Sequence, residues 1–290
     1  MSNLAETLAE PTGARDFLRR FLHTRSAMLG FVLVALAVLV ALLSPWITPA
    51  DFSRTNMAFV WEPPGKDFVL GTDALGRDVL SRLIVGAAVS LVVALSVLAI
   101  ALVLGTTLGM AAAWRGGWFD ALVMRSADIT FAFPDLIIAI LIAAMLGPGI
   151  PTVILSLALV SWPGIARLTR SLVLSLRHEL FVDAALVCGT PAATILLRHC
   201  LPNIVPALIV RASVGVGFVV MAEATLSFLG LGVQEPLPSW GGMIRDGLPA
   251  LRSEPHLALA AGAALGLTII GFNLLGDGLR DLLDPRIKER

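Results

Sequence analysis

Three acidic side chains stand in or beside strongly apolar segments, and they are the residues of this sequence best suited to chemistry. Glu223 lies in the apolar run 204–231, and Asp128 and Asp135 lie near the start of another run. An ionisable group inside an apolar span is costly, so it usually faces a partner or an aqueous cavity. Glu223 is therefore either part of a transport pathway or a hydrogen-bonding partner of a neighbouring helix. For Asp128, structural pairing with Arg125 one helical turn away is favoured.

The sequence lacks the motifs of the common enzyme and metal classes. Its only lysines, Lys66 and Lys288, are followed by Asp and Glu, so no Gly-Lys-Ser/Thr phosphate loop exists. The histidines show no HExxH or paired metal spacing, and no GxSxG nucleophile motif occurs. We therefore expect no catalytic site, no metal and no cofactor in this chain, and any ATP hydrolysis must take place in a partner.

The composition indicates a protein that crosses a membrane several times. Of the 290 residues, 57% are hydrophobic and 14% are charged, and the mean hydropathy is +0.87. Soluble domains carry about 25% charged residues, so this chain cannot hide its apolar surplus in one water-soluble core. The net charge of zero excludes a broad basic surface for nucleic acid. The two cysteines, Cys188 and Cys200, form no CxxC unit, and we expect both to be reduced.

Apolar runs of spanning length predict six transmembrane helices. They lie at 27–47, 87–113, 129–146, 152–165, 204–231 and 256–275. Arginines in the segment 1–26 place it in the cytoplasm by the positive-inside rule, and six spans return the tail 278–290 to the same side. Pro134 predicts a kink in the third span, and Pro163 predicts a break at the end of a short fourth span. The region 85–277 is then a five-helix core.

The loop 48–84 is rich in Pro and Gly and should lie on the outer side. It ends in LGTDALGRDVLSRLI, where Asp73–Arg77 and Asp78–Arg82 have the i,i+4 spacing of helical ion pairs. Asp73 is suited to cap a helix there. The apolar residues of 79–84 predict an amphipathic helix lying at the outer interface.

A polar island at 179–203 separates two apolar runs and predicts two short helices joined at a corner. Gly189 supplies the left-handed position at that corner, Thr190 caps the second helix, and Pro202 ends it. One face of the first helix carries small and apolar residues, which suits docking into a groove on another protein. These are Phe181, Ala184, Ala185 and Cys188.

This island resembles the EAA loop of bacterial ABC importer permeases, the segment that couples the membrane subunit to its ATPase. The match lies in Asp183-Ala184-Ala185, Gly189 and Leu201-Pro202; Asp183 stands where the family most often has Glu, and His199 where it usually has Ile. Four further strings resemble the dipeptide, oligopeptide and nickel branch of these permeases. They are LGTDALGRD (70–78), EATLSFLGLGVQ (223–234), PSWG (238–241) and FNLLGDGLRDLLDPR (272–286).

The resemblance implies an all-α integral membrane protein with the six-helix fold of type I (MetI-like) ABC importer permeases, in the bacterial inner membrane. It also implies a heterodimer with a second related permease, two P-loop ATPase subunits that bind ATP and Mg, and an extracytoplasmic substrate-binding protein. Membrane lipid surrounds the spans. The ATPases would dock on the coupling loop 178–203. Its matching residues are Glu179, Asp183, Ala184, Ala185, Gly189, Leu201 and Pro202.

The cargo and the driving force stay open at the level of sequence. The resemblance favours import of di- or oligopeptides, and nickel or a nickel chelate is the alternative within the same branch. A secondary transporter driven by an ion gradient is the alternative from another class, with Glu223, Asp135 and Asp128 as coupling groups. Such a transporter usually shows inverted repeats, and none is visible in this sequence.

Overall fold

The chain was analysed as a computed structural model, which describes residues 21, 22 and 24–283. Most of the segment predicted for 1–26 and part of the tail 278–290 lie outside the described residues. Nine helices organise the described part. They are α1 (Arg25–Ile47), α2 (Val79–Arg115), α3 (Gly117–Phe131), α4 (Asp135–Leu146), α5 (Ile150–Leu176), α6 (Leu180–Val187), α7 (Ala192–Phe228), α8 (Trp240–Gly247) and α9 (His256–Leu283).

Five helices of the described part are long and apolar enough to cross a membrane: α1, α2, α5, α7 and α9. The pair α3 and α4 makes a sixth span if the two are counted together, which agrees with the predicted number. They meet at 91°, so the expected kink near Pro134 is in fact a break. A proline has no N–H for the helix ladder and also disfavours helical backbone at the residue before it, here Phe133.

Two further predicted boundaries are wrong. The expected interfacial helix is not separate: α2 begins at Val79 and runs without interruption to Arg115. Val79 is fully buried, and the Trp240 indole N–H donates to the Leu83 carbonyl at 3.2 Å, so this first stretch packs inside the protein. The predicted fourth span is too short, because α5 continues through Pro163 to Leu176. Pro163 is buried in the bundle, where packing of neighbouring helices tolerates an interior proline.

The central helix α2 packs closely against α5 through small residues. A Cβ added at Gly105 would come within 2.7 Å of Ile165 Cβ, and one at Gly109 within 2.8 Å of Thr169 Cβ. Glycine lets the two backbones approach, which is how membrane helices gain packing contacts. Gly105 and Gly109 are therefore part of an interhelical surface.

We name the two ends of the bundle after the groups found there. The ion-cluster end carries the ion pairs of Asp73, Arg77, Arg82 and Glu235, and the coupling-loop end carries the loop 178–203. At the ion-cluster end, the loop 48–78 meets the loop 229–239, and His256 contacts the Thr72 carbonyl at 2.8 Å. At the coupling-loop end, α6 follows α5, and Arg177 lies against the backbone of Ala113 at the end of α2. The positive-inside rule predicts that the coupling-loop end is the cytoplasmic one.

Candidate functional site

The coupling loop forms a helical hairpin at one end of the bundle. Helix α6 ends at Val187, and Gly189 follows with φ +73°, as the corner requires. A Cβ at Gly189 would meet no atom within 4 Å, so the corner itself stands clear of the rest of the protein.

The second half of the hairpin differs from the sequence-based expectation. Thr190 makes no cap: Pro191 is the residue before the helix, and α7 starts at Ala192. Pro202 does not end this helix, because one π-helical turn over Ile195–Cys200 precedes it. In that turn the Leu201 N–H donates to the Leu196 carbonyl, five residues back. A π turn of this kind absorbs the irregularity next to a proline, so α7 continues to Phe228.

Helix α6 has one buried anchor and a largely exposed apolar surface. Val182 is fully buried and packs with Ile195 and Cys200 of α7. Leu180 and Val187 are 85% and 89% exposed. Of the face predicted from sequence, Ala185 turns toward the bundle. The others are exposed: Phe181, Ala184 and Cys188, together with the polar Glu179 and Asp183.

Leu201 and Pro202 lie away from that exposed surface. Both are part of the continuous helix α7, in the turn that follows the π-helical segment, and Leu201 packs partly buried against the Val182 cluster. The hairpin thus consists of α6 and the start of α7, which pack together around Val182.

Glu223 lies in the interior and is fully hydrogen-bonded by neighbouring serines. The Ser90 hydroxyl of α2 donates to one carboxylate oxygen at 3.0 Å, and the Ser227 hydroxyl donates to the other at 2.7 Å. All three side chains are at most 1% exposed. Ser227 also accepts the Val233 N–H, which extends the network to the ion-cluster end. The arrangement links α2 to α7.

Asp128 belongs to a set of ion pairs between α3 and α5. Its carboxylate lies 2.7 Å from the Arg167 guanidinium and 4.0 Å from that of Arg125, so the predicted Arg125 pair exists but is the weaker one. One turn after Arg167 on α5, Arg170 binds Asp120 at 2.5 Å. These pairs hold α3 along the coupling-loop half of α5.

Asp135 points into a cavity at the break between α3 and α4. The cavity measures about 280 Å³ and is bounded by α2, α4, α5 and α7. Its polar lining comes from Asp135, Arg211 and Ser161. Arg211 stands near the middle of α7, which runs from Ala192 to Phe228.

A cluster of ion pairs lies at the other end of the bundle. Arg77 binds Asp73 at 2.7 Å, as its spacing predicted, and Arg82 lies 3.5 Å from the same carboxylate. Both arginines also bind Glu235, at 2.6 and 3.0 Å. The predicted Asp78–Arg82 pair is wrong, and so is the Asp73 cap: Asp78 caps α2 by accepting the N–H and hydroxyl of Ser81.

This cluster stabilises the positively charged form of the Arg77 guanidinium. Burial disfavours the guanidinium, but the hydrogen bonds and negative charges of Glu235 and Asp73 outweigh burial and raise the pKa of Arg77. The cluster joins loop 48–78 to the residues just after the EATLSFLGLGVQ string. Charged side chains thus tie the string LGTDALGRD to the residue that follows the string EATLSFLGLGVQ.

The sequence gives no signal for two polar residues of these sites, Glu235 and Ser161, and only an ambiguous signal for a third, Arg211. Glu235 follows the apolar span in an irregular loop, and only the fold brings it 158 residues across the sequence to Arg77. Ser161 resembles any hydroxyl in a span. Arg211 was visible as a lone cation in an apolar run, and that signal indicates an aqueous cavity as readily as a lipid headgroup.

The comparisons with known proteins agree with these motifs. Residues 105–289 match the family described as "Binding-protein-dependent transport system inner membrane component", and residues 13–64 match "N-terminal TM domain of oligopeptide transport permease C". The chain is 38% identical over 274 residues to the dipeptide transport system permease protein DppC of Alkalihalophilus pseudofirmus, which covers 94% of this chain and 90% of the relative.

Glutathione permeases are similarly close. The chain is 41% identical over 277 residues to the glutathione transport system permease protein GsiD of Escherichia coli strain 536, with 94% of this chain and 90% of the relative covered. The GsiD protein of Pectobacterium atrosepticum is 38% identical over 280 residues, again over 94% of this chain and 91% of the relative. Because one family model covers more than half of the chain and these relatives cover nearly all of it, the chain belongs to the binding-protein-dependent transport system inner membrane components, as an ABC importer permease of the dipeptide and glutathione branch.

Proposed function

We propose that this chain is the permease subunit of an ATP-driven importer for short peptides, and that it forms half of the translocation pathway beside a second related permease. The family is one of transport permeases and not of enzymes, and its importers work with ATPase and substrate-binding subunits. The observation that carries the peptide assignment is similarity over 94% of the chain to permeases named for dipeptide and glutathione transport. Glutathione is itself a short peptide, so one cargo class covers both names.

Coupling to the ATPases would take place through the hairpin of α6 and the start of α7. An exposed apolar surface on a short helix outside the spans is suited to a protein partner, because lipid does not cover it. That surface is formed by Leu180, Phe181 and Val187. The buried Val182 packs against α7, so a movement of α6 would also move the start of α7. ATP binding would close the ATPases, move α6 and turn the pathway outward, and hydrolysis would reset it.

The cargo is tested by uptake in cells that possess or lack this gene. We expect ATP-dependent uptake of radiolabelled dialanine or glutathione to disappear with the gene and to return with a plasmid copy. A loss restricted to radiolabelled nickel ions would replace peptide by metal as the cargo. Uptake that persists after ATP depletion but collapses with the ion gradient would contradict the ABC mechanism and favour a secondary transporter.

The coupling role is tested at the corner of the hairpin. Gly189→Glu places a charged side chain in open space at the proposed docking surface, so we expect normal membrane insertion and at least a tenfold loss of ATP-driven uptake. Gly117→Glu is the matched control, because Gly117 also has a positive φ, of +55°, and open space around it, but lies in another turn. Undiminished uptake by the Gly189 variant would refute the assignment.

A further inference from the structure

The cavity at the break between α3 and α4 brings a carboxylate, a guanidinium and a hydroxyl to one place. It lies at mid-depth, since its lining residues Leu98, Gly164 and Gly215 are near the middles of α2, α5 and α7. It is also the place where one membrane span is interrupted. Interrupted helices at mid-membrane are where transporters hold their cargo, because polar groups and helix ends are then available to it.

The charged groups in this cavity oppose one another without forming an ion pair. Asp135 and Arg211 both line it and interact electrostatically. No salt bridge within 4.0 Å joins them, whereas Asp120 of α3 and Arg170 of α5 form one at 2.5 Å. A carboxylate and a guanidinium that form no ion pair with each other can each bind an oppositely charged group of a ligand.

A third polar group in the same cavity has no partner. The Ser161 hydroxyl lines the cavity, is sealed from solvent, and finds no hydrogen-bond partner among the described residues. Other buried serines on this bundle are satisfied, for example Ser156, which donates to the Val153 carbonyl. An unsatisfied buried hydroxyl is costly, which makes it a site for a ligand that brings its own polar atoms.

We propose that this cavity is a transit site for the charged termini of a free peptide, with Arg211 binding the carboxylate, Asp135 binding the α-ammonium, and Ser161 binding a polar atom between them. A guanidinium matches a carboxylate with two parallel hydrogen bonds, and a carboxylate accepts from an ammonium group. The volume of about 280 Å³ lies just below the usual range of ligand pockets, about 300 to 1,000 Å³, and suits a cargo of few residues. This inference rests on the proposed peptide import and names the part of the chain that recognises the cargo.

Phe218 and Phe131 complete the cavity with apolar surface. Phe131 is held in place from outside by the Arg167 guanidinium, 4.5 Å from its ring centre, and Arg167 is held in turn by Asp128. The apolar walls leave the side chains of a peptide without specific partners, whereas the termini are matched by charge. The site would therefore accept peptides that differ in side chain, provided that both termini are free.

The test compares two cargos in the complete transporter, with all partner subunits present. Uptake of dialanine and of dialanine amide, which lacks the carboxylate, is measured for the unaltered chain and for Arg211→Gln. We expect the variant to lose at least tenfold in dialanine uptake and less than twofold in uptake of the amide. Because the same binding protein delivers both cargos to both forms, its own preference cancels from the comparison.

The mirror experiment uses Asp135→Asn with dialanine and N-acetyl-dialanine, which lacks the ammonium group. The expected loss is again confined to the free peptide. Arg125→Gln is the matched control, because Arg125 is a highly exposed arginine that does not line the cavity, and we expect both uptakes to stay within twofold. Amounts of each variant in the membrane and its copurification with the partner permease show that assembly is intact.

Equal losses for free and modified peptides would overturn the proposal and make Arg211 and Asp135 structural, and so would unchanged uptake of both. These outcomes are distinct from failure of the proposed function. If dialanine and glutathione uptake by the unaltered transporter do not depend on this gene, the peptide assignment fails before any variant is measured.

Discussion

Glu223 and Asp135 are both carboxylates within the helical bundle, and they differ in whether the fold satisfies them. Glu223 is fully buried and accepts hydrogen bonds from two serines, one on its own helix and one on α2. Asp135 faces a cavity and an unpaired arginine. A satisfied polar network makes a core rigid, whereas polar groups left without partners are available to a ligand. We infer that Glu223 holds α2 and α7 together and that Asp135 belongs to the pathway.

The largest expected effect is on stability and comes from Glu223→Ala. The change empties space in a packed region and leaves the Ser90 and Ser227 hydroxyls without their acceptor, which costs about 2–4 kcal/mol of unfolding free energy. Asp135→Ala should cost less than about 1 kcal/mol, because that side chain lies at a cavity. Thermal unfolding of the purified transporter measures both.

Glu223→Gln sharpens the same comparison because the amide keeps the size of the side chain and can still accept hydrogen bonds. We expect most of the stability, the normal amount in the membrane and most of the uptake to remain. Normal assembly with abolished uptake would reverse the comparison and place Glu223 in the pathway.

A smaller effect, on transport alone, is expected from Gly164→Ala. The new methyl group would lie 3.1 Å from an Arg211 nitrogen and would crowd the cavity without touching the packed interfaces. We expect peptide uptake to fall severalfold at unchanged thermal stability. Gly266→Ala is the matched control, since Gly266 is also inside a spanning helix and has no neighbour within 4 Å of the added Cβ. Equal uptake by both variants would show that this cavity is not on the route of the cargo.

The smallest effects separate the two serines of the Glu223 network. Ser90→Ala removes one hydrogen bond between helices, for which about 0.6 kcal/mol is typical in a membrane protein. Ser227→Ala should cost about twice as much, because Ser227 also accepts the Val233 N–H. Unfolding of the two variants side by side gives the order, and a larger loss for Ser90→Ala would contradict the network as described.

The sequence alone predicted the class of fold and the number of spans, because hydrophobic length and charge at segment ends are local properties. It also identified the corner at Gly189, where the backbone has a positive φ as expected. The short strings that resemble the permease branch agreed with the family shown by the comparisons. Each of these features depends on residues that are neighbours in the sequence, so it can be predicted without knowing how the helices pack.

Only the tertiary structure decided how prolines act and where charges meet. Pro134 breaks a span at an edge of the cavity, Pro163 lies inside the continuous helix α5, and Pro202 follows a π turn. Likewise, Glu223 and Asp135 carry the same group, but Glu223 is hydrogen-bonded by two serines, whereas Asp135 lines a cavity together with Arg211. Hydrogen bonds and ion pairs join residues far apart in the chain, so the choice between a structural carboxylate and an available one depends on which helices the fold brings together.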